Sequence, residues 1–351
     1  MKKKRLFAFI LLLALSVMPT AARAEPSLSA QSAVLMDMES GRVLAQKDAH
    51  VRRPIASITK IMTALLAVES GRLNEKVAIS DRARQVEGSS LYLEKGDKLT
   101  LEELVYGLML RSGNDAAIAI SEYVGGTPEK FAALMNKRAK EIGMKNTSFM
   151  NPHGLHDPAH YSSAYDMALL TSEAMKNSTY RKIVSTDLYR TKSKPIRVWE
   201  NKHRLVRSGG IITGGKTGFT KKAGRTLVTT AKKDGMSLAV VTLNAPGDWL
   251  DHTSLFDYGF DSYSQTMIVG KTPFTVPGEK QLYYAKKQVR YPMTPDEKKS
   301  AYIRLVVGSG QTGKAELWIG NEKQTSITVY KTKERAATSL WAKLKKELMA
   351  W

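Results

Sequence analysis

Hydrophobic and polar positions change rhythm twice along this chain, and the changes divide it into three stretches. Ala33 to Met38 and Val43 to Gln46 are apolar, strand-like runs around Glu39-Ser40-Gly41-Arg42, which predicts an opening β-hairpin. From Ser57 the spacing becomes helical, with Ala, Leu and Met dominant up to about Ser70 and Gly71 as the stop. Residues 76–98 are mixed and rich in turn residues. Thr100-Leu101-Glu102-Glu103 has the form of a capping box and predicts a helix to about Arg111. A break at Ser112-Gly113-Asn114 precedes a helix to Val124, and Thr127-Pro128-Glu129 starts another that ends before Gly143. After a loop-like stretch, 145–163, one more helix is expected from about Ala164 to Met175.

From Arg190 onward short strands take over. Thr226 to Ala231 and Met236 to Leu243 are joined through Asp234-Gly235, a strong hairpin signal, and a helix from about Trp249 to Tyr258 closes the stretch. Strands on both sides of a helical block imply one α+β domain with a mainly antiparallel sheet flanked by helices, over residues 25–264. Residues 265–335 alternate in short runs, such as Tyr302 to Val307 and Ser326 to Tyr330, and read as a small all-β domain. In 336–351, Trp341, Leu344, Leu348 and Trp351 share one helical face while Lys343, Lys345 and Lys346 lie largely off it. That is the composition of an amphipathic helix at a membrane surface, the alternative being a helix packed on its own domain.

The ends and the charge narrow the setting. Residues 1–24 run from Lys2, Lys3, Lys4 and Arg5 through an apolar stretch to Ala22-Arg23-Ala24, the order of a secretory signal peptide, with an uncleaved anchor as the alternative. The mature chain is then expected to begin near Glu25, secreted to the outer face of the cytoplasmic membrane or the cell wall. Its loss lowers the net charge from +21 to +16. A basic surface suits nucleic acid, anionic lipid or an anionic wall polymer; export and the lack of an aromatic-and-basic module argue against nucleic acid. There is no Cys, which removes disulfides, thiol catalysis and Cys-based zinc sites together.

The candidate chemistry starts at Ser57-Ile58-Thr59-Lys60. A spacing of three residues puts hydroxyl and amine one helical turn apart on one face. A Ser hydroxyl becomes a good nucleophile when a neighbour takes its proton, and burial among groups such as Ile61 and Met62, or a second cation, lets a Lys be that neighbour. Alone, the tetrad also reads as an ordinary helix start. Two further motifs change this: Ser112-Gly113-Asn114 in a tight break between helices, 55 residues on, and Lys216-Thr217-Gly218 before the terminal hairpin, 104 residues further.

Ser-x-x-Lys, Ser-x-Asn and Lys-Thr-Gly in this order match the signature of penicillin-binding proteins and class A β-lactamases, with Gly113 in place of Asp. The chain resembles the low-molecular-weight penicillin-binding proteins and, more closely, the serine-type D-Ala-D-Ala carboxypeptidases. Arg111 to Ala117, Gly143 to Thr147, Pro152 to Leu155 and Lys216 to Thr220 all carry the likeness, which covers residues 30–262. It extends less specifically to the β domain and the tail.

The resemblance implies a penicillin-binding, β-lactamase-like fold and an acyl-enzyme on Ser57, with Lys60 as base and Ser112 relaying the proton to the departing D-Ala. It implies that Asn114 holds the substrate amide and orients Lys60, and that Lys216 and Thr217 meet the terminal carboxylate. Gly218 would let the substrate approach the strand, and the backbone N–H groups of Ser57 and Phe219 would form the oxyanion hole. The implied partners are the peptidoglycan stem peptide and β-lactam inhibitors, without a cofactor.

Two departures stand out. Some relatives carry an Arg shortly after the last strand that helps bind the carboxylate, whereas between Asn244 and Tyr258 this chain has only His252 as a basic side chain. It also lacks a Glu-x-x-Leu-Asn segment after the Ser-x-Asn motif, so penicillin is expected to acylate Ser57 and leave slowly.

Other readings compete. His153, His156, Asp157 and His160 raise a zinc hydrolase, but their spacing is not His-Glu-x-x-His and they lie in a loop, so no metal is expected. A non-catalytic wall-binding protein would explain the charge but not three motifs in order. A D,D-endopeptidase or a β-lactamase-like hydrolase would share the same constellation.

Overall fold

The computed structural model describes residues 24–275, 281–307 and 310–335. The expected signal segment, apart from Ala24, and the expected helix over 336–351 lie outside the described residues.

The opening hairpin forms as expected from β1 (Ser32–Asp37) and β2 (Val43–Lys47). A 3-10 turn, Ala56–Thr59, leads into α1 (Lys60–Glu69), followed by the short α2 (Asp81–Gln85). Next come α3 (Leu101–Arg111), α4 (Asn114–Gly125), α5 (Pro128–Ile142), α6 (Ala164–Ala174) and α7 (Ser178–Val184). A small hairpin of β3 (Leu188–Arg190) and β4 (Val198–Glu200) and the short α8 (Arg204–Ser208) precede β5 (Ile212–Thr220), β6 (Gly224–Lys233) and β7 (Met236–Leu243). Helix α9 (Asp248–Ser262) runs longer at its C-terminal end than its sequence suggests.

The second region contains β8 (Ser264–Val269), β9 (Gln281–Tyr284), β10 (Val289–Met293), α10 (Pro295–Ser300), β11 (Ala301–Val307), β12 (Thr312–Ile319) and β13 (Glu322–Arg335). This is the expected small β domain, with one short helix, α10, between β10 and β11. Thr294 caps it through a capping box with Glu297, and Pro295 opens its first turn, a local signal in Thr-Pro-Asp-Glu that the alternation around it hides.

The main sheet is antiparallel with strand order β2-β1-β7-β6-β5, which leaves β5 at an edge. Both faces are covered. Val34 and Met36 of β1 join Val228, Val241 and Leu243 against the helical block, while Ala33 and Leu35 pack with Ala231, Leu238, Leu255 and Phe256 on the side of α9. A strand buried on both faces needs an unbroken apolar run, as β1 has. A separate core around Tyr283, Tyr291, Leu317 and Val329 holds the second region. The two meet at Arg42, whose guanidinium pairs with Glu297 and lies 5.3 Å and 5.1 Å from the rings of Tyr263 and Tyr291. Gln265 donates to the buried Asp37 at 2.9 Å across the same junction.

Helix ends position the chemistry. Thr100 and Glu103 form the anticipated capping box, so α3 is fixed at its start and ends at Ser112, in left-handed conformation (φ 67°). The chain turns there and re-enters helix at Asn114. Among the described residues, no helix is long and apolar enough to cross a membrane.

Candidate active site

The first turn around Ser57 differs from the helix its sequence predicts. Ala56 has φ 48°, a strained value for a residue with a Cβ, and Ser57 lies in a 3-10 turn whose C-cap is Lys60. Such strain costs of order 1 to 3 kcal/mol and persists only where neighbours hold it. Here the neighbour is the loop at Gly154 (φ +87°). A Cβ on Gly154 would stand 2.0 Å from the Ala56 carbonyl oxygen, so only glycine permits the contact. The same oxygen accepts a bond from Thr59 Oγ1 at 2.8 Å.

Lys60 is fully buried, and its Nζ has three partners: Ser57 Oγ at 3.0 Å, Asn114 Oδ1 at 2.7 Å and the His153 carbonyl at 2.6 Å. An ammonium ion uses all three N–H groups on them. A neutral amine keeps two N–H groups and one lone pair. Asn114 Oδ1 and His153 O can only accept, so in the neutral form the lone pair faces the one partner with a proton to give, the Ser57 hydroxyl. Burial, then the charges of Lys216 and Lys202, push the Lys60 amine well below its ordinary range, with Asp115 opposing them. Geometry and electrostatics therefore favour the same proton transfer.

Asn114 is fixed at both ends of its amide, since Nδ2 donates to Glu87 O at 2.6 Å while Oδ1 holds Lys60. Its second Nδ2 proton remains for a ligand. Asp115 anchors the adjoining loop through the backbone N–H groups of Leu91 and Leu93 and the hydroxyl of Ser90. Gly113 stands where a Cβ would lie 2.6 Å from Leu91 Cγ, which accounts for a glycine between Ser112 and Asn114. Ser112 is buried in the break itself. Lys60 does not donate to it; the cleft places the two on adjoining elements.

Edge strand β5 closes the other side. A Cβ on Gly218 would meet Thr226 Oγ1 at 2.4 Å and Ser57 N at 2.9 Å, so the glycine lets the strand come up against the Ser57 turn. That contact sets the Ser57 N–H beside the strand, one residue before Phe219. Lys216 is buried, donates to the Thr217 carbonyl at 2.8 Å, and is lowered to about 7 by burial and by Lys202.

The structure thus joins Ser57, Lys60 and Asn114 by hydrogen bonds, and brings Gly218 against Ser57 and Lys216 within electrostatic reach of Lys60. The Phe219 side chain is 66% exposed. Three contributors were not anticipated. The His153 and Glu87 carbonyls act through their backbone, which no side-chain motif reveals, and Lys202 acts only as a nearby charge.

Two of the loop histidines, His153 and His160, are held inside the fold, whereas His156 is exposed. His160 binds Thr59 Oγ1 through Nε2 at 2.8 Å and accepts from Met150 N through Nδ1 at 3.0 Å, and burial lowers it to about 4. His153 accepts from Leu155 N, and burial, then the Lys60 charge, lowers it to about 3. Among the described residues, no group of three or more His, Cys, Asp or Glu side chains could hold a metal ion.

A serine hydroxyl hydrogen-bonded to a desolvated lysine, between a helical block and the edge of an antiparallel sheet, is the arrangement that a nucleophilic serine requires. A family model described as peptidase S11, D-alanyl-D-alanine carboxypeptidase, matches residues 19–247. The chain is 38% identical over 244 residues to D-alanyl-D-alanine carboxypeptidase DacF of Bacillus subtilis, covering 67% of this chain and 63% of that one. It is 36% identical over 273 residues to DacC of Escherichia coli K12, covering 72% and 67%. Among solved structures, DacD from Francisella tularensis superposes with a TM-score of 0.74 at 27% identity over 93% of this chain and 98% of that one. Penicillin binding protein 5 from Haemophilus influenzae superposes with a TM-score of 0.78 at 24% identity, over 90% and 100%, and bears on the fold alone. The chain belongs to the D-alanyl-D-alanine carboxypeptidase family, serine-type hydrolases of the low-molecular-weight penicillin-binding group. The match spans just under two thirds of the length of DacF.

Proposed function

We propose that the protein is a serine D-Ala-D-Ala carboxypeptidase that removes the terminal D-Ala from peptidoglycan stem pentapeptides and is inhibited by β-lactams. The observation that carries this reading is the arrangement of acceptors around Lys60, which leaves Ser57 as the only group able to give the neutral amine a proton. Ser57 Oγ attacks the penultimate D-Ala carbonyl as its proton passes to Lys60 Nζ. The oxyanion is held by the backbone N–H groups of Ser57 and Phe219; one such donor is worth on the order of 3 kcal/mol where measured. Collapse expels the terminal D-Ala, whose amine takes up a proton through Ser112, and water then releases the acyl group. Asn114 keeps Lys60 in place and offers its remaining N–H to the substrate amide.

Lys216 and Thr217 receive the terminal carboxylate. The Lys216 ammonium supplies charge and the Thr217 hydroxyl a directed hydrogen bond. A β-lactam enters the same cycle, but ring opening leaves its leaving group tethered, and deacylation is slow. A peptidoglycan substrate places the enzyme outside the cytoplasm, in keeping with the signal-like residues 1–24. The amphipathic 336–351 segment would hold it on the membrane surface. Residues 25–264 form the peptidase domain and 265–335 the small β domain.

The test is product analysis with a pentapeptide ending in D-Ala-D-Ala. Release of one D-Ala per peptide is expected, with none from Ser57→Ala at unchanged thermal stability. Cleavage of cross-linked peptides only would overturn the carboxypeptidase assignment in favour of an endopeptidase.

A further inference from the structure

Among the described residues, six that are not glycine have positive φ: Asp48, Ala56, Tyr92, Ser112, Asp234 and Asn244. Asp and Asn tolerate the left-handed region, which accounts for three of them. Ala56 and Ser112 belong to the turn and the break that carry the proposed chemistry. Tyr92 (φ 57°) is left, and a bulky side chain is poorly suited to that conformation. It is also 82% exposed, so burial of its ring does not offset the strain.

The neighbours of Tyr92 impose its conformation. Asp115 Oδ2 accepts from Leu91 N at 2.8 Å, from Leu93 N at 3.2 Å and from the Ser90 hydroxyl at 2.6 Å. Ser90 Oγ in turn accepts from Tyr92 N at 2.8 Å. Three successive backbone N–H groups are thus fixed on one buried carboxylate, directly or through the Ser90 hydroxyl. Leu91 and Leu93 are buried on either side, which leaves the tyrosine between them turned to solvent. Asp115 directly follows Asn114, whose backbone N–H donates to Ser89 O at 2.7 Å and whose Nδ2 donates to Glu87 O. The ring therefore stands on a rim built onto the same helix start that holds Lys60. Strain that tertiary contacts maintain beside a reactive cleft, for a side chain left largely in water, points to a ligand.

Building on the carboxypeptidase reading, we propose that Tyr92 is a platform for the saccharide end of the peptidoglycan substrate and makes the enzyme selective for stem peptides still joined to sugar. The face of an aromatic ring is partly negative, and a sugar ring presents a flat set of C–H groups to it while its far side stays in water. The phenol hydroxyl can bond to the hydroxyls of the sugar. The lengths agree. In an extended stem pentapeptide four residues separate the scissile bond from the sugar, roughly 13 to 14 Å. Tyr92 follows Ser89 by three residues, a span of at most about 11 Å, and its ring projects beyond that.

The experiment measures D-Ala release from a free stem pentapeptide and from the same peptide carrying its disaccharide, with wild type, Tyr92→Gly, Tyr92→Ala and Tyr92→Phe. One stacked ring predicts a KM roughly three- to tenfold lower for the disaccharide peptide in the wild type, with kcat alike for both. Tyr92→Phe is expected to keep most of that ratio, and Tyr92→Gly and Tyr92→Ala to bring it to about one. Glycine adopts positive φ freely, so Tyr92→Gly is expected to melt about 2 to 4 °C above Tyr92→Ala, which separates the conformation from the ring. Equal melting would overturn the strain on which the assignment rests. A ratio near one in the wild type, or one that survives Tyr92→Gly, overturns the saccharide contact. A wild type that releases no D-Ala from either compound overturns the carboxypeptidase reading instead. Tyr92 is then judged by equilibrium binding of the two compounds to Ser57→Ala: a preference for the disaccharide peptide that Tyr92→Gly abolishes supports it, and equal binding overturns it.

Discussion

Replacing Lys60 with methionine is expected to slow acylation of the enzyme by roughly a hundred- to ten-thousandfold, the range that a positioned general base contributes. The Lys60 amine can accept the Ser57 proton only when neutral, and its burial, with Lys216 and Lys202 nearby, favours that form. Methionine keeps the volume and removes the base. The same substitution is expected to raise thermal stability. An unfolded lysine holds its proton up to about pH 10.4, while the folded form disfavours it, so the unfolded state binds more protons and stability rises with pH. Removing the amine removes that penalty, most visibly at low pH. Lys60→Arg separates the roles, since guanidinium never sheds its proton: it should be as inactive as Lys60→Met and less stable than wild type. Stopped-flow acylation together with melting curves from pH 5 to 9 checks both.

Lys216→Arg is expected to change the shape of the pH profile. In the free wild-type enzyme Lys216 titrates at about 7. Raising the pH through that value removes a charge that attracts the substrate carboxylate, and kcat/KM should fall. Lowering the pH protonates Lys60 and also lowers kcat/KM. A bell is therefore expected, with macroscopic limbs belonging to the coupled pair of lysines. An arginine at 216 stays charged and should carry the alkaline limb upward by more than one pH unit. An alkaline limb that stays in place would assign it to another group. The readout is the position of the limb, because a larger side chain in a buried slot also lowers the absolute rate.

Much of this site could be read along the chain because its signals are local. Thr100 and Glu103 meet within one turn, and Asp234-Gly235 adopts the positive φ values that a tight hairpin needs. Three short motifs mark the residues whose side chains are proposed to bear the chemistry. What escaped is set by tertiary contact. The five residues of α2 and the seven of α7 are too short for periodicity to show. The 3-10 turn at Ser57 depends on Gly154, almost a hundred residues away. The His153 carbonyl is a backbone acceptor that any residue could provide.

Mass spectrometry of the protein after brief exposure to a penicillin, followed by mapping of the modified peptide, addresses the chemistry most directly. One covalent adduct per chain is expected, on Ser57, formed more slowly as the pH falls and absent from Ser57→Ala. An adduct on another residue, or one that survives that substitution, would contradict Ser57 as the nucleophile that Lys60 activates.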